Sequence, residues 1–270
     1  MNIINAAKKI IDTKNIQNKS SIVHNDYTQI QNIEQQLHTL QNHIFSLYGC
    51  QREILWAEIF NNTISASSWL KNKSFSAGRW AVGYPYLYVL YRILDEIKPK
   101  NILELGLGQS SKMISQYADH NSDVSYQVVE HDLHWINFFS KNFTLTKNIN
   151  IVNLAFTYEN YKKAINVRVY EKFAENFGDK QFDLISIDAP IAGDMKDYAR
   201  IDVIKILPNS LAENFVIMLD DVNRIGEQNT LSEIIDKLQQ NNITHHVGIY
   251  SGEKDSVIIC SEKLKFLTSL

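Results

Sequence analysis

Lys100-Asn101-Ile102-Leu103-Glu104-Leu105-Gly106-Leu107-Gly108-Gln109-Ser110-Ser111 joins an apolar run carrying one acid to a two-glycine turn and a helix start. Gly106 and Gly108 permit backbone conformations closed to other residues, bring the main chain against a ligand, and aim the next helix's free N–H groups at a negative group. Ser110 and Ser111 suit the first positions of that helix. The next apolar run, 126–129, is closed by Glu130, where a carboxylate takes both hydroxyls of a ribose. Two signals at the right separation make this a nucleotide-cradling unit.

Outward from that unit the chain alternates short apolar runs with helical stretches. The runs are 102–105, 126–129, 149–154, 182–187 and 215–219, and the helical stretches are 111–117, 133–142, 158–177, 198–207 and 228–239. Such alternation predicts a parallel sheet covered on both faces. Two further strands, 245–250 and 256–261, flank the turn Ser251-Gly252-Glu253-Lys254-Asp255, so the final strand runs antiparallel to its neighbours. The expected fold is α/β, a doubly wound, seven-stranded, mostly parallel Rossmann-like sheet whose last strand is antiparallel. Residues 98–270 form this domain, and 1–97 form a helical extension that serves oligomerisation or covers the substrate.

The extension has its own patterns. Ile3, Ile4, Ala7, Ile10 and Ile11 share one helical face, which suits a docking helix, because the polar face is not strongly basic as on a membrane-surface anchor. Ile30, Ile33, Leu37, Leu40, Ile44 and Leu47 alternate steps of three and four, the seam of a coiled coil. That seam reads equally as a subunit-pairing helix or as one lying on its own catalytic domain. Leu87, Leu90, Tyr91 and Leu94 recur at helical spacing in an aromatic-rich stretch. The glycine-flanked part, 76–84, reads as a flap over a substrate or as plain packing.

The 270 residues, 44% of them hydrophobic, bury a full core. A net charge of −3 with scattered basic residues provides no field for gathering nucleic acid or an anionic membrane. Cys50 and Cys260 stand far apart, which predicts neither a disulfide framework nor a cysteine zinc site. With no apolar stretch of signal-peptide or membrane-span character, the expectation is a cytoplasmic protein.

Five parallel strands, the Glu-x-Gly-x-Gly turn, the acid after the second strand and the terminal hairpin together resemble the class I S-adenosylmethionine-dependent methyltransferases over residues 98–261. The resemblance implies that Gly106, Gly108, Ser110 and Ser111 line S-adenosylmethionine, that Glu104 faces its amino group through water, and that Glu130 binds the ribose. It also sets His131 or Asp132 beside the adenine and brings Asp188 to the cofactor. A nicotinamide-binding fold uses the same glycines, but its third small position is normally Gly or Ala, where Ser111 stands here.

Asp188 closes the run 182–187, and Asp220 and Asp221 close 215–219. Ligands bind outside those strand ends, and three converging carboxylates repel one another unless a cation compensates them. A hard divalent ion such as Mg²⁺ accepts that oxygen set, and no Cys or His cluster competes for zinc. The arrangement resembles the metal-dependent O-methyltransferases of catechol type and of macrocin-type sugar enzymes, and the Asp-Asp doublet is closer to the sugar enzymes. The segment Ala189-Pro190-Ile191-Ala192-Gly193 departs from their usual continuation after the first metal acid. Alternatively Asp220 and Asp221 cap the following turn while Asp188 touches only the cofactor.

Methyl transfer requires an acceptor oxygen aligned opposite the departing sulfur and made nucleophilic. An aliphatic hydroxyl as weakly acidic as water would cost on the order of 12 kcal/mol to ionise at neutral pH, which a side-chain base does not meet alone, so the expected chemistry has a divalent cation stabilise the developing alkoxide while a nearby base takes the proton. Candidate bases are Asp188 and one of the adjacent pair His245 and His246, with His131 and His134 assigned to cofactor or solvent. Arg79, Tyr84 and Arg200, with Lys196, are candidates for contact with the acceptor. The expected activity is O-methyl transfer to a small-molecule hydroxyl, on a sugar or sugar-nucleotide ahead of a catechol. The acceptor is thus the expected partner, with no nucleic acid or membrane, and the N-terminal helix is a candidate for homo-oligomer formation. A nicotinamide-dependent oxidoreductase and a non-catalytic cofactor-binding assembly protein are the competing readings.

Overall fold

The computed structural model describes the backbone from residue 3 and side chains from residue 29. The face formed by Ile3, Ile4, Ala7, Ile10 and Ile11 therefore lies outside the described side chains. The chain divides into two compact units, 1–48 and 49–270. Helix α1 spans Ile3–Ile64; its part up to Tyr48 makes the first unit. There the six seam residues are all exposed, Ile30 at 53%, Leu37 at 54% and Leu40 at 55%. Among the described residues no helix is long and apolar enough to cross a membrane.

The second unit contains the end of α1, α2 (Tyr84–Arg92), a π-helical turn at Ile93–Ile97 and the sheet. Strands β1 (Asn101–Leu105), β2 (Ser125–Glu130) and β3 (Ile149–Asn153) are joined by α3 (Gln109–His120) and α4 (Leu133–Asn142). Then come the hairpin β4 (Phe156–Tyr161) and β5 (Ala164–Tyr170), α5 (Phe173–Phe177), β6 (Phe182–Ile187), β7 (Leu211–Leu219), α6 (Ile225–Gln240), β8 (His245–Ser251) and β9 (Asp255–Ser261). The main sheet has the order β3-β2-β1-β6-β7-β9-β8, parallel except that β9 runs antiparallel to both β7 and β8. This is the expected seven-stranded Rossmann-like sheet with its reversed last strand.

Alternate residues of each strand feed opposite faces. Ile102, Tyr126, Val128, Leu184, Val216 and Ile258 pack with α2 and α3, while Leu103, Val129, Ile185, Ile217 and Ile259 pack with α6 through Ile234 and Leu238. Burial on both faces is what a parallel sheet requires and is why these runs read as continuously apolar. Register then decides the site. Leu105 is level with Val129 and Ile187, and Ile187 with Leu219, so Gly106, Glu130, Asp188 and Asp220 each stand one residue beyond one common edge. Leu219 also pairs with Val257, which brings the β8–β9 turn to that same edge.

Two expected helices differ. Residues 158–177 form most of the β4–β5 hairpin and then short α5. Buried Ala164, Val167 and Val169 alternate irregularly with exposed Ile165 and Asn166, and β-branched and aromatic residues fit a pleated surface better than a helix. Over 198–207 only a 3₁₀ stretch, Ile201–Lys205, forms. Its start is interrupted by Arg200 with φ of 60° and its end by Pro208, which cannot continue a helix.

Candidate functional site at the carboxyl edge of the sheet

A cavity of about 360 Å³ opens at this edge, lined by the Gly106–Ser110 turn, Glu130, His131, Asp132, Trp135, Asp188 and the segments at 80–81 and 189–191. Gly106 takes φ of 102°, a conformation that side chains rarely adopt. A Cβ there would also stand 3.0 Å from the Ala189 Cβ. At Gly108 an added Cβ meets no atom of the protein, so its absence widens the cavity and bares the start of α3.

The turn is held from three sides. Glu130 Oε2 accepts from Leu107 N at 3.2 Å, and Oε1 accepts from His131 N and Asp132 N at 2.7 and 2.9 Å. Trp135 donates its indole N–H to Leu107 O at 2.7 Å. Ser111 Oγ accepts from Gly108 N at 2.9 Å and donates to Glu104 Oε2 at 2.7 Å, where the Tyr126 hydroxyl also donates. Asp132 caps α4 by accepting from His134 N and Trp135 N, and the His131 ring stacks on Phe156 with centroids 3.8 Å apart. Glu104 and Ser111 lie behind the turn rather than in the cavity wall. Burial pushes the Glu104 carboxyl up to about 7, and its Oε1 is buried without a protein hydrogen bond.

Beside the cavity, one carboxylate oxygen from each of Asp188, Asp220 and Asp221 lies within 4.8 Å of the others. Cations are already threaded through them. Arg200 Nη2 is 3.1 Å from Asp188 Oδ1 and 2.8 Å from Asp221 Oδ2, and Nη1 donates to Asp220 O at 3.0 Å. Lys254 Nζ stands 3.2 Å from Asp221 Oδ1 and 3.6 Å from Asp220 Oδ2. Arg224 reaches Asp221 at 3.1 Å and Glu227 at 3.5 Å. Burial, opposed by Arg200 and reinforced by Asp220 and Asp221, lifts Asp188 well above the usual carboxylate range. Asp220 is raised in the same way, by burial against Lys254. For Asp221, burial is outweighed by Arg200, Lys254 and Arg224, which hold it below its ordinary value.

The all-oxygen donor set suits a hard dication, and the Asp220 Oδ2 and Asp221 Oδ1 atoms are buried without hydrogen bonds. The charge does not suit one. Four carboxylates, counting Glu227, already face three cations, and the Lys254 ammonium stands against the two acceptor atoms left open. As arranged, the cluster admits a divalent ion only if Lys254 leaves.

Other expected site residues lie elsewhere. His246 is level with Cys260, which is level with Val216, four residues back along β7 from Asp220, so His246 sits about 13 Å along the strands from Asp220 and His245 one residue further. They make local contacts, His245 with Ile243 O and His246 with Glu262, and are not placed to act as bases here. Arg200, expected at the acceptor, is enclosed by the acids instead. Tyr84 packs on Phe60, whereas Arg79 is exposed on the turn closed by Ala81 N to Gly78 O. That turn places Trp80, 90% exposed, at the cavity mouth. Sequence reasoning missed Trp80, Trp135, Glu227 and Lys254. Trp135 stands one helical step beyond the Asp132 cap, a signal that was available, but Lys254 needed the β7–β9 register.

By sequence the chain matches no described protein family and no curated protein. Its fold is similar to that of a Klebsiella pneumoniae protein described as an O-methyltransferase, at 15% identity and a TM-score of 0.49, over 77% of this chain and 98% of that one. It is also similar to the O-methyltransferase TomG from Streptomyces achromogenes in complex with SAM, at 13% identity and a TM-score of 0.48, over 77% and 98%. Spermidine synthase from Thermotoga maritima matches at 17% identity and a TM-score of 0.41, over 66% and 59%. At these identities the likeness is one of fold.

Proposed function

We propose that the protein transfers the methyl group of S-adenosylmethionine to a hydroxyl of a small molecule. One observation carries the reading: the register of β1, β2 and β6 delivers the glycine turn, Glu130 and Asp188 to a single cavity. The open Gly108 and the start of α3 at Gln109 and Ser110 suit the amino-acid part of the cofactor, Glu130 suits its ribose, and the stacked His131 and the capping Asp132 form the wall for its base. The reversed β9 separates this sheet from the all-parallel dinucleotide fold, which disfavours the oxidoreductase reading. When bound, the cofactor supplies a methyl group on a sulfonium, and its sulfur leaves as a thioether. Asp188, on the cavity wall and with its pKa raised, takes the acceptor's hydroxyl proton as the O–C bond forms. Trp80 at the mouth offers a flat amphipathic face, which supports a sugar or sugar-nucleotide acceptor.

A divalent ion on Asp188, Asp220 and Asp221 is the second reading, favoured by the two buried acceptor atoms without hydrogen bonds. Calorimetric titration of S-adenosylmethionine and its demethylated product, with the nicotinamide cofactors as controls and with Mg²⁺ or chelator, tests both. Binding of the methionine-derived ligands is expected; binding of a nicotinamide cofactor in their stead would overturn the assignment.

The exposed seam of α1 is assigned to pairing with a second copy of this chain. In its heptads Ile30, Leu37 and Ile44 fill one core position and Ile33, Leu40 and Leu47 the other, while the flanking Glu34, Gln36, Gln41 and His43 are mostly uncharged. Two copies therefore meet without like-charge repulsion.

A further inference from the structure

Lys254 does not line the cavity, and the fold delivers its ammonium to the acid cluster beside it. Its turn is anchored by Gly252 N to Lys254 O at 2.9 Å, by Val222 N to Asp255 O at 2.8 Å and by Glu253 N to Glu53 Oε2 at 3.0 Å. Gly252 seats the turn closely: a Cβ there would fall 2.1 Å from Glu53 Oε2, the tip of a side chain, and 3.0 Å from the Pro85 ring. From the turn the side chain, 13% exposed, reaches between Asp220 and Asp221 and donates to Ala81 O at 3.0 Å, in the segment that walls the cavity. Ser256 Oγ occupies Asp220 Oδ1 at 2.7 Å, and Arg200 occupies Asp221 Oδ2. The atoms left, Asp220 Oδ2 and Asp221 Oδ1, are the two that Lys254 faces.

We propose that Lys254 is the resident cation of this site: its ammonium holds the position between Asp220, Asp221 and the cavity wall that a divalent ion would otherwise take, and so makes the site metal-independent. The inference deepens the methyl-transfer reading and rests on it. Arg200, Arg224 and Lys254 already face these carboxylates, and a dication added beside Lys254 would set two cations within a few ångströms of each other. Lys254 is thus a positioning residue. It keeps the paired acids compact and ties them to Ala81, while Asp188 remains the group at the cavity.

The test is Mn²⁺ uptake, read as loss of the free-ion electron paramagnetic resonance signal, for the whole wild-type chain, Lys254→Met, Lys254→Arg, Asp220→Asn and the double variant K254M/D220N. Wild type and Lys254→Arg are expected to leave the signal unchanged. Lys254→Met should take up Mn²⁺ at least about tenfold more tightly, and the double variant should lose that gain. Uptake by wild type that disappears in Asp220→Asn overturns the proposal, and so does failure of a folded Lys254→Met protein to take up the ion. Lys254→Gln replaces Lys254→Met if circular dichroism shows the latter unfolded. S-adenosylhomocysteine is titrated into the same samples. If wild type does not bind it, the methyl-transfer reading fails while the Mn²⁺ result still judges Lys254.

Discussion

Glu130 does two jobs with one carboxylate. It fastens the glycine turn through Leu107 N, and its position at the cavity presents acceptors to a ribose. Hydrogen bonds to a charged group contribute about 1.5–3 kcal/mol each, so Glu130→Ala is expected to weaken S-adenosylhomocysteine binding by tenfold or more in calorimetry. Unchanged affinity would place the ribose elsewhere. Asp188 makes a separate prediction through its protonation state. A base works only when ionised, and this carboxyl is held above its ordinary value by burial, so ionisation is completed at higher pH than for an exposed aspartate. The turnover of wild type should therefore rise with pH through a limb well above the usual aspartate value of about 3.9, and Asp188→Asn should lower turnover by about 10²-fold or more and abolish the limb while leaving S-adenosylhomocysteine binding within a few-fold. A limb that survives in the variant would belong to another group.

At the scale of elements, the strand-turn-helix unit at 100–111 was legible because its cues are local: a buried apolar run, a left-handed glycine and a helix start. Gly106→Ala tests that unit, since the substitution imposes both a strained φ and a contact of 3.0 Å with Ala189. A loss of about 1–3 kcal/mol is expected in denaturant unfolding, together with weakened S-adenosylhomocysteine binding; a neutral outcome would mean that the turn relaxes. Residues 158–170 of the hairpin were misread as the first part of a helix over 158–177 because the apolar residues lie too irregularly to settle the period, and the bulge between Glu159 and Tyr161 breaks the alternation further. The acid cluster was legible in its carboxylates and illegible in its cations. Asp188 and Asp220 end apolar runs, whereas Arg200 and Lys254 reach them from a left-handed position and a distant hairpin turn, and only strand register reveals that. The seam of α1 is a reading of spacing alone, and its six residues are exposed. Ile33→Asp with Leu37→Asp should shift wild type to a smaller species in sedimentation velocity without loss of S-adenosylhomocysteine binding. A wild type that already sediments as one chain would refute the pairing.

For the molecule as a whole, the cost of enclosing carboxylates should appear in how stability depends on pH. Asp202 is fully buried, its Oδ1 accepting from Tyr170 N at 2.7 Å and its Oδ2 without a partner. Burial, only partly opposed by that hydrogen bond, pushes its pKa up to about 7 from an ordinary value of 3.8. Between those values the folded protein retains a proton that the unfolded chain has released, so folding stability falls as pH rises through this window. The contribution is fully present below the unfolded value and is lost once pH passes the folded one. Glu104 acts with the same sign up to about 7, while Asp221, held low by its cations, acts with the opposite sign at acid pH. The wild-type curve alone therefore mixes several groups, and the difference between wild type and Asp202→Asn isolates one. Asparagine keeps an oxygen for Tyr170 N and cannot ionise. Relative to wild type, its unfolding free energy should improve steadily from about pH 4 to about pH 7, by on the order of 1 kcal/mol or more, and then hold constant, as measured by urea unfolding at each pH. A difference that stays flat across the window would show that Asp202 changes its protonation no differently in the folded and unfolded chains, and that its buried oxygen is solvated from a direction the protein atoms do not provide.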